Sequence, residues 1–279
     1  MTLTIDIGLQ RFVDDLLEER IGSLIVMDVQ TGEILAFASS PEFNPNVFAR
    51  GSDKEKLAIL TDRRRPLLNR GISCKYPPGS TFKIVVACAG IATGTIKKDT
   101  VFNCDGVFEL GGARFGCWKE EGHGPQNIVQ ALAHSCNVFF YNLGDSLGAE
   151  WIYHYGLGFG LDSVTGIDIP GEIKGLVPGP LWKRFFLKEA WYRGDTINYS
   201  IGQGFLLVTP IEMLRAITIV ANEGYSPAPY LVKEIEGKKP FRKKNHIIKL
   251  DEGVFNIIKS GLFDVVNSPT GSGLYAKGD

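Results

Sequence analysis

The sequence is short of several things, and each shortage narrows the field. No run approaches the roughly 18 consecutive apolar residues of a membrane span, and no basic-then-apolar leader opens the chain. The expectation is therefore a piece without its own membrane anchor. Charge of one sign is also lacking. With 30 Lys and Arg against 31 Asp and Glu, the net charge is -1, which excludes the broad basic face of a nucleic-acid binder. The single basic run, GKKPFRKKNH at 237–246, reads as a solvated loop or hairpin. Cysteine is scarce too. Five in 279 residues cannot scaffold the chain with disulfides, so an apolar core must hold it. At 44% apolar and 22% charged residues, the composition supplies such a core. Neither an internal repeat nor a low-complexity linker interrupts the chain, and residues 1–279 are expected to form one domain.

Residues 8–20 carry a helical pattern, with Leu9, Phe12, Val13, Leu16 and Leu17 on one side. The stretch SLIVMDVQTGEILAFAS predicts a hairpin over 24–38, turning around Gln30-Thr31-Gly32. Residues 41–75 read as an irregular polar connection, and 102–125 as a loop rich in glycine and cysteine. Two helical stretches flank HSCN. Farther on, Thr209 as N-cap, Pro210, Glu212 and a following Gly224 predict a well-capped helix, and a last helix is expected from Asp251 to Val266. These elements predict an α+β fold, with helices packed on a mostly antiparallel sheet.

The chemistry begins in YPPGSTFKIV. Pro77-Pro78-Gly79 ends one segment, and Ile84, Ala87, Cys88 and Ile91 mark the apolar face of a helix that follows. Ser80 falls in its first turn, and Lys83, three residues on, shares its face. A serine cap followed by a surface lysine fits those residues equally well. The second piece is Ser135-Cys136-Asn137. In a locally extended loop, Ser135 and Asn137 would face together and Cys136 away. Ser-x-x-Lys joined to Ser-x-Asn is the established signature of penicillin-binding proteins and β-lactamases.

With both motifs present, GEILAFASSPEFNPNVF, PLLNRGISCKYPPGSTFK, GHG, SCNVFFYNLG, FGLDSVTGIDIPGE and GDTINYSIGQGFLLVTPIEM resemble the transpeptidase domain of class B penicillin-binding proteins, of the rod-elongation type. The resemblance covers nearly the whole chain. It implies a penicillin-recognising serine transpeptidase fold and a peptidoglycan D,D-transpeptidase that cross-links D-Ala-D-Ala stem peptides and is trapped by β-lactams. In that family pattern Ser80 is the nucleophile, Lys83 the base, Ser135 a proton relay and Asn137 a support for Lys83 and substrate. The Ser80 backbone N–H supplies half of the oxyanion hole. Gly202-Gln203-Gly204 and Asp195 match the remaining signature, as substrate contacts or as structural braces; Asp195 is expected to order its loop by accepting backbone hydrogen bonds.

The resemblance also implies glycosyltransferase and elongation-complex partners and a place on the periplasmic side of the cytoplasmic membrane. The family's Lys-Thr/Ser-Gly strand has no counterpart: PTGSG lacks the lysine and AKGD the hydroxyl. The expectation is a fragment with an incomplete sheet. A D,D-carboxypeptidase, a β-lactamase-like hydrolase and a β-lactam-binding piece without turnover stay open, although nothing resembles a dedicated deacylating glutamate loop.

Cys104, Cys117, His123 and Cys136 make a complete ligand set for tetrahedral zinc, three thiolates and an imidazole. The resemblance supports this, because some relatives have a metal site at comparable places. If so, the four ligand atoms converge within about 4 Å, and the free His123 nitrogen donates to an acceptor. A Cys104–Cys117 disulfide and a set of unrelated buried thiols are the alternatives. Cys88 is expected in the core and Cys74 to be incidental, with His134 and His154 as surface or packing residues.

Overall fold

A helix that is apolar all round belongs in the middle of a molecule, and Lys83–Ala92 is one. Every residue from Lys83 to Gly90 is buried in the computed structural model, which describes residues 1–278. Gly90 lets the helix Asn137–Leu147 come close, since a Cβ there would lie 2.8 Å from Leu143 Cδ1. Around this pair pack the helices Ile128–Ala133, Ala149–Gly158 and Glu252–Asn267, and Pro210–Ala221 packs on the last of them. Phe82, Phe139, Phe140, Ile152, Ile219 and Phe255 share one core there.

The hairpin forms from Gly22–Met27 and Ile34–Ser40, paired antiparallel from Gly22 opposite Ser40 to Met27 opposite Ile34. Residues of the second strand alternate between buried and half-buried, as a strand with one covered face must. Its buried residues include Ala36 and Ala38, which meet Val13 of the helix Ile7–Leu17.

The chain is thus mixed α/β with antiparallel strands, but the strands do not form one broad sheet. Among the described residues they make five separate two-stranded pairs. The expected loop at 102–125 is one of the differences. Phe102–Cys104 pairs with Gly124–Gln126, and Val107–Leu110 with Ala113–Gly116. Gly106 and Gly122, both at positive φ, make the first pairing possible. A Cβ on either would fall within 2.0 Å of the opposing backbone carbonyl. The connection at 41–75 is likewise not wholly irregular. It carries helices Asn46–Arg50 and Asp53–Thr61, the second closed by a Ser52–Glu55 capping box. The last helix runs from Glu252 to Asn267 with Asp251 as its cap. Among the described residues, no helix is long and apolar enough to cross a membrane.

Candidate active site

Pro78 and Gly79 lead into a single 3-10 turn, Gly79–Phe82, which runs directly into the central helix. Ser80 is therefore at the surface, while Lys83, one turn deeper, is only 1% exposed. The two do not bond directly. Instead Ser135 Oγ lies 3.0 Å from Ser80 Oγ and 3.1 Å from Lys83 Nζ, standing between them. Lys83 also donates to the Ser135 carbonyl at 2.8 Å and to Asn137 Oδ1 at 2.6 Å. Its ammonium stands 5.5 Å from the centroid of Phe140. Burial lowers the Lys83 amine from its ordinary value to about 8, against the opposing pull of the Cys117 and Cys136 sulfurs.

Ser135 and Asn137 come together by a different geometry from the extended loop expected of them. Ser135 has φ +50°, a left-handed residue closing the helix Ile128–Ala133, and Asn137 opens the next helix. A kink between two helix ends, not a strand-like alternation, aims both side chains at Lys83. Trp118 helps to hold it, with Nε1 donating to the carbonyls of His134 at 2.9 Å and Ser135 at 3.2 Å. Sequence reasoning passed over Trp118, although its place directly after Cys117 was the available signal.

A cavity of about 190 Å³ opens over Ser80, Lys83 and Ser135, walled by Leu132, Leu262, Val265 and Ser272. A larger cavity, about 390 Å³ beside Asp14 and Glu42, shares no residue with it, and the one hydroxyl in its lining, Ser40 Oγ, donates to the Arg20 carbonyl at 2.7 Å. Gly202 lies against the turn before Ser80. Its carbonyl accepts from Gly79 N at 3.0 Å, and a Cβ there would strike Gly79 O at 2.2 Å. Gln203 and Gly204 are exposed beside that contact. Asp195 differs from a substrate contact. It lies in the helix Arg193–Tyr199, and its Oδ2 is taken by Lys183 Nζ at 2.7 Å and Tyr192 N at 2.8 Å. Its carboxylate braces the turn before that helix by accepting a backbone N–H. Lys183, 3% exposed, is the partner that sequence reasoning missed.

Cys104, Cys117, His123 and Cys136 bring their ligand atoms within 4.8 Å of one another. None of the five cysteines is in a disulfide, so the Cys104–Cys117 alternative falls. Both Cys104 Sγ and Cys117 Sγ lie 3.6 Å from His123 Nδ1. A tetrahedron with zinc bond lengths has S···N edges of about 3.5 Å, so this part of the set fits. The full cluster is wider than the about 4 Å expected and would need to tighten around a cation. Cys136 donates to Cys117, which holds the Cys117 thiol well below the ordinary range and pushes Cys136 up. One departure concerns His123. Its Nε2 is buried without a hydrogen-bond partner, and the ring is oriented by stacking with His134 at 5.6 Å and by the Trp118 edge at 5.1 Å. His134 is a packing residue, bonded to Gln126 at 2.7 Å and Thr270 at 2.9 Å.

Residues 22–278 match the family model of the penicillin binding protein transpeptidase domain. The peptidoglycan D,D-transpeptidase MrdA of Acinetobacter baumannii is 36% identical over 98% of this chain and 42% of its own length. The chain thus spans less than half the length of that curated relative. Pseudomonas aeruginosa PBP2 in complex with WCK 5153 superposes with a TM-score of 0.90 at 32% identity, over 97% of this chain and 62% of that one. A complex between PBP2 and MreC from Helicobacter pylori gives the same TM-score at 31% identity, over 98% and 51%. The chain belongs to the penicillin-binding protein transpeptidase family.

Proposed function

We propose that this chain is the acylating part of a peptidoglycan D,D-transpeptidase, with Ser80 as its nucleophile. The observation that carries the reading is the unbroken chain Ser80–Ser135–Lys83–Asn137, assembled from residues more than 50 positions apart. Ser80 Oγ attacks the carbonyl of the penultimate D-alanine, and its proton passes through Ser135 to the neutral Lys83 amine. The Ser80 backbone N–H stabilises the oxyanion. The peptide C–N bond then breaks, Ser135 returns the proton to the departing D-alanine, and an ester on Ser80 remains. The side-chain amine of a second stem peptide attacks that ester and regenerates Ser80. A β-lactam acylates Ser80 in the same way, but its leaving nitrogen stays tethered and the ester persists.

In this reading the exposed Gln203 and Gly204 border the peptide, while Gly202 and Asp195 act as braces. Zinc fits Cys104, Cys117, His123 Nδ1 and Cys136, where it would supply a structural cross-link. The relatives' names, peptidoglycan D,D-transpeptidase, favour cell-wall synthesis, and the motif resemblance implies the periplasmic face of the cytoplasmic membrane as its place. The Helicobacter pylori complex of PBP2 with MreC favours a protein partner of that kind, and the motif resemblance implies an elongation complex with a glycosyltransferase supplying the strands.

The test is the intact mass of the chain after incubation with a penicillin, followed by peptide mapping. One adduct on the peptide containing Ser80, lost in Ser80→Ala, is expected. An adduct on any other serine would overturn the assignment.

A further inference from the structure

The one basic run of the sequence, at 237–246, has no part in the Ser80 chemistry. It closes over a cavity of about 330 Å³ whose lining includes Ser163, Thr165, Arg215, Lys243, Lys244 and His246. This cavity shares no residue with the one at Ser80. We propose that it is a binding site for a phosphate-bearing ligand.

Charge is the first ground. Among the described residues, no Asp or Glu lines the cavity, and none of Arg215, Lys243 and Lys244 forms an ion pair. Glu212 and Glu172 stand near enough to Arg215 to favour its charge, while their hydrogen bonds go to backbone and hydroxyl groups. Glu172 accepts from the backbone of Thr165 and Gly166 and from Thr165 Oγ1, while Glu212 accepts from Ser163, Gly175 and Thr209. Those carboxylates offset Arg215, but Lys243 and Lys244 have no acidic partner at the hollow and repel each other unless an anion enters.

The second ground is construction. Arg215 is 6% exposed, with two guanidinium nitrogens donating to the carbonyls of Ser163 and Val164 and its buried Nε left without a partner. Gly160 makes room for that guanidinium, since a Cβ there would lie 2.9 Å from Nε. Gly166, at φ +86°, does the same for Lys243, because its Cβ would fall 2.2 Å from Lys243 Cδ. The lysine stem therefore lies along the Gly166 backbone, while Lys243 and Lys244 stay exposed to an arriving ligand. The segment is pinned on both sides of the lysines. Arg242 sits 3.4 Å over the Tyr230 ring, and His246 Nε2 bonds Gly158 O at 2.8 Å.

The donor set names the ligand class. The hydroxyls of Ser163, Thr165 and Ser226 already donate to Gly160 O, Glu172 and Pro227 O. Still free to donate are the ammonium groups of Lys243 and Lys244 and the Asn245 amide, whose Oδ1 alone is used, by Ala228 N. A phosphate group, with up to two negative charges and three acceptor oxygens, matches two lysines and an amide better than a single carboxylate does. A lipid headgroup and a soluble phosphate compound share this chemistry.

Titration calorimetry of the full chain with inorganic pyrophosphate, at ionic strength fixed by sodium chloride, tests the site. Saturable binding at one equivalent is expected, weakened at least roughly tenfold by the pair Lys243→Ala and Lys244→Ala. The pair Lys97→Ala and Lys98→Ala, exposed lysines elsewhere, should leave it unchanged. Both pairs are checked for an unaltered thermal melt. Binding that does not saturate, or that weakens equally in both pairs, overturns the proposal. Vesicles of phosphatidylglycerol in phosphatidylcholine identify the source. Co-sedimentation displaced by pyrophosphate supports a lipid headgroup, and saturable pyrophosphate binding without co-sedimentation supports a soluble phosphate.

Discussion

At the scale of single residues, the proposed chemistry turns on one buried amine. Lys83 can accept a proton only when neutral, and burial has moved its pKa to about 8. Roughly a tenth of the amine is then neutral at pH 7 and about nine-tenths at pH 9. Acylation by penicillin should therefore rise about tenfold between those values and level off above them; a flat profile would remove Lys83 as the base. Because the folded pKa lies below the unfolded one, the unfolded chain binds more protons between about pH 8 and 10.5, and stability gains from Lys83 as pH rises through that window. Trp118 makes the second residue-scale prediction. Its two bonds hold the HSCN kink, in which a non-glycine residue stands at positive φ. Trp118→Phe should slow acylation by roughly tenfold while costing only about 1 kcal/mol of stability. If acylation is unchanged in stopped-flow measurements, Trp118 does not position Ser135. Ser80, Lys83, Ser135 and Asn137 could be read in the sequence because their types and spacings carry chemistry. The left-handed turn at Ser135 could not, since it depends on how two helix ends meet.

At the scale of elements, legibility followed local chemistry. Thr209-Pro210 with Glu212 announces a helix start, and both halves of that capping box form. The helix Asp53–Thr61 carries an equally good Ser52–Glu55 box, but none of its residues is buried and no apolar stripe advertises it. The strands between 102 and 126 are three or four residues long, too short for an alternating pattern to stand out, and they depend on glycines opposite backbone carbonyls. Glu212 does more than cap. Fully buried, it also accepts from Ser163 N at 3.1 Å and Gly175 N at 2.8 Å, tying the 163–175 segment to its helix. Thr209→Ala should cost about 1–2 kcal/mol in denaturant unfolding. Glu212→Ala, which strands three backbone amides, should cost about 3 kcal/mol or more. The double variant should cost less than the sum, because the two residues share bonds. Full additivity would mean the cap and the brace act independently.

For the whole molecule, the question is what fixes the 102–126 segment against the helices that carry the Ser80 chain. Aromatic packing does part of this, with Phe102 on Phe139 at 5.2 Å and Phe108 and Phe115 on Tyr141 at 6.0 and 5.8 Å. Asn137 Nδ2 reaches Gly116 O at 3.4 Å and Tyr141 Oη reaches the same carbonyl at 3.2 Å, both long bonds at an exposed strand. The Cys104–Cys117–His123–Cys136 cluster is the connection that reaches the catalytic turn itself, since Cys136 lies between Ser135 and Asn137. A cation there would cross-link the segment to the residues that hold Lys83, and its loss would act on chemistry without touching Ser80. Protein purified without added metal should carry about one equivalent of zinc. Stripping it with a chelator should lower the melting temperature by at least roughly 5 °C and slow penicillin acylation together. Cys104→Ser separates the causes, because Cys104 belongs to the cluster but not to the HSCN kink. If zinc is a cross-link, that variant loses metal and acylation rate as the chelated protein does, and added zinc restores neither. If acylation persists in a metal-free Cys104→Ser protein, the aromatic packing and the hydrogen bonds of Trp118 and Asn137 suffice, and the cluster serves stability alone.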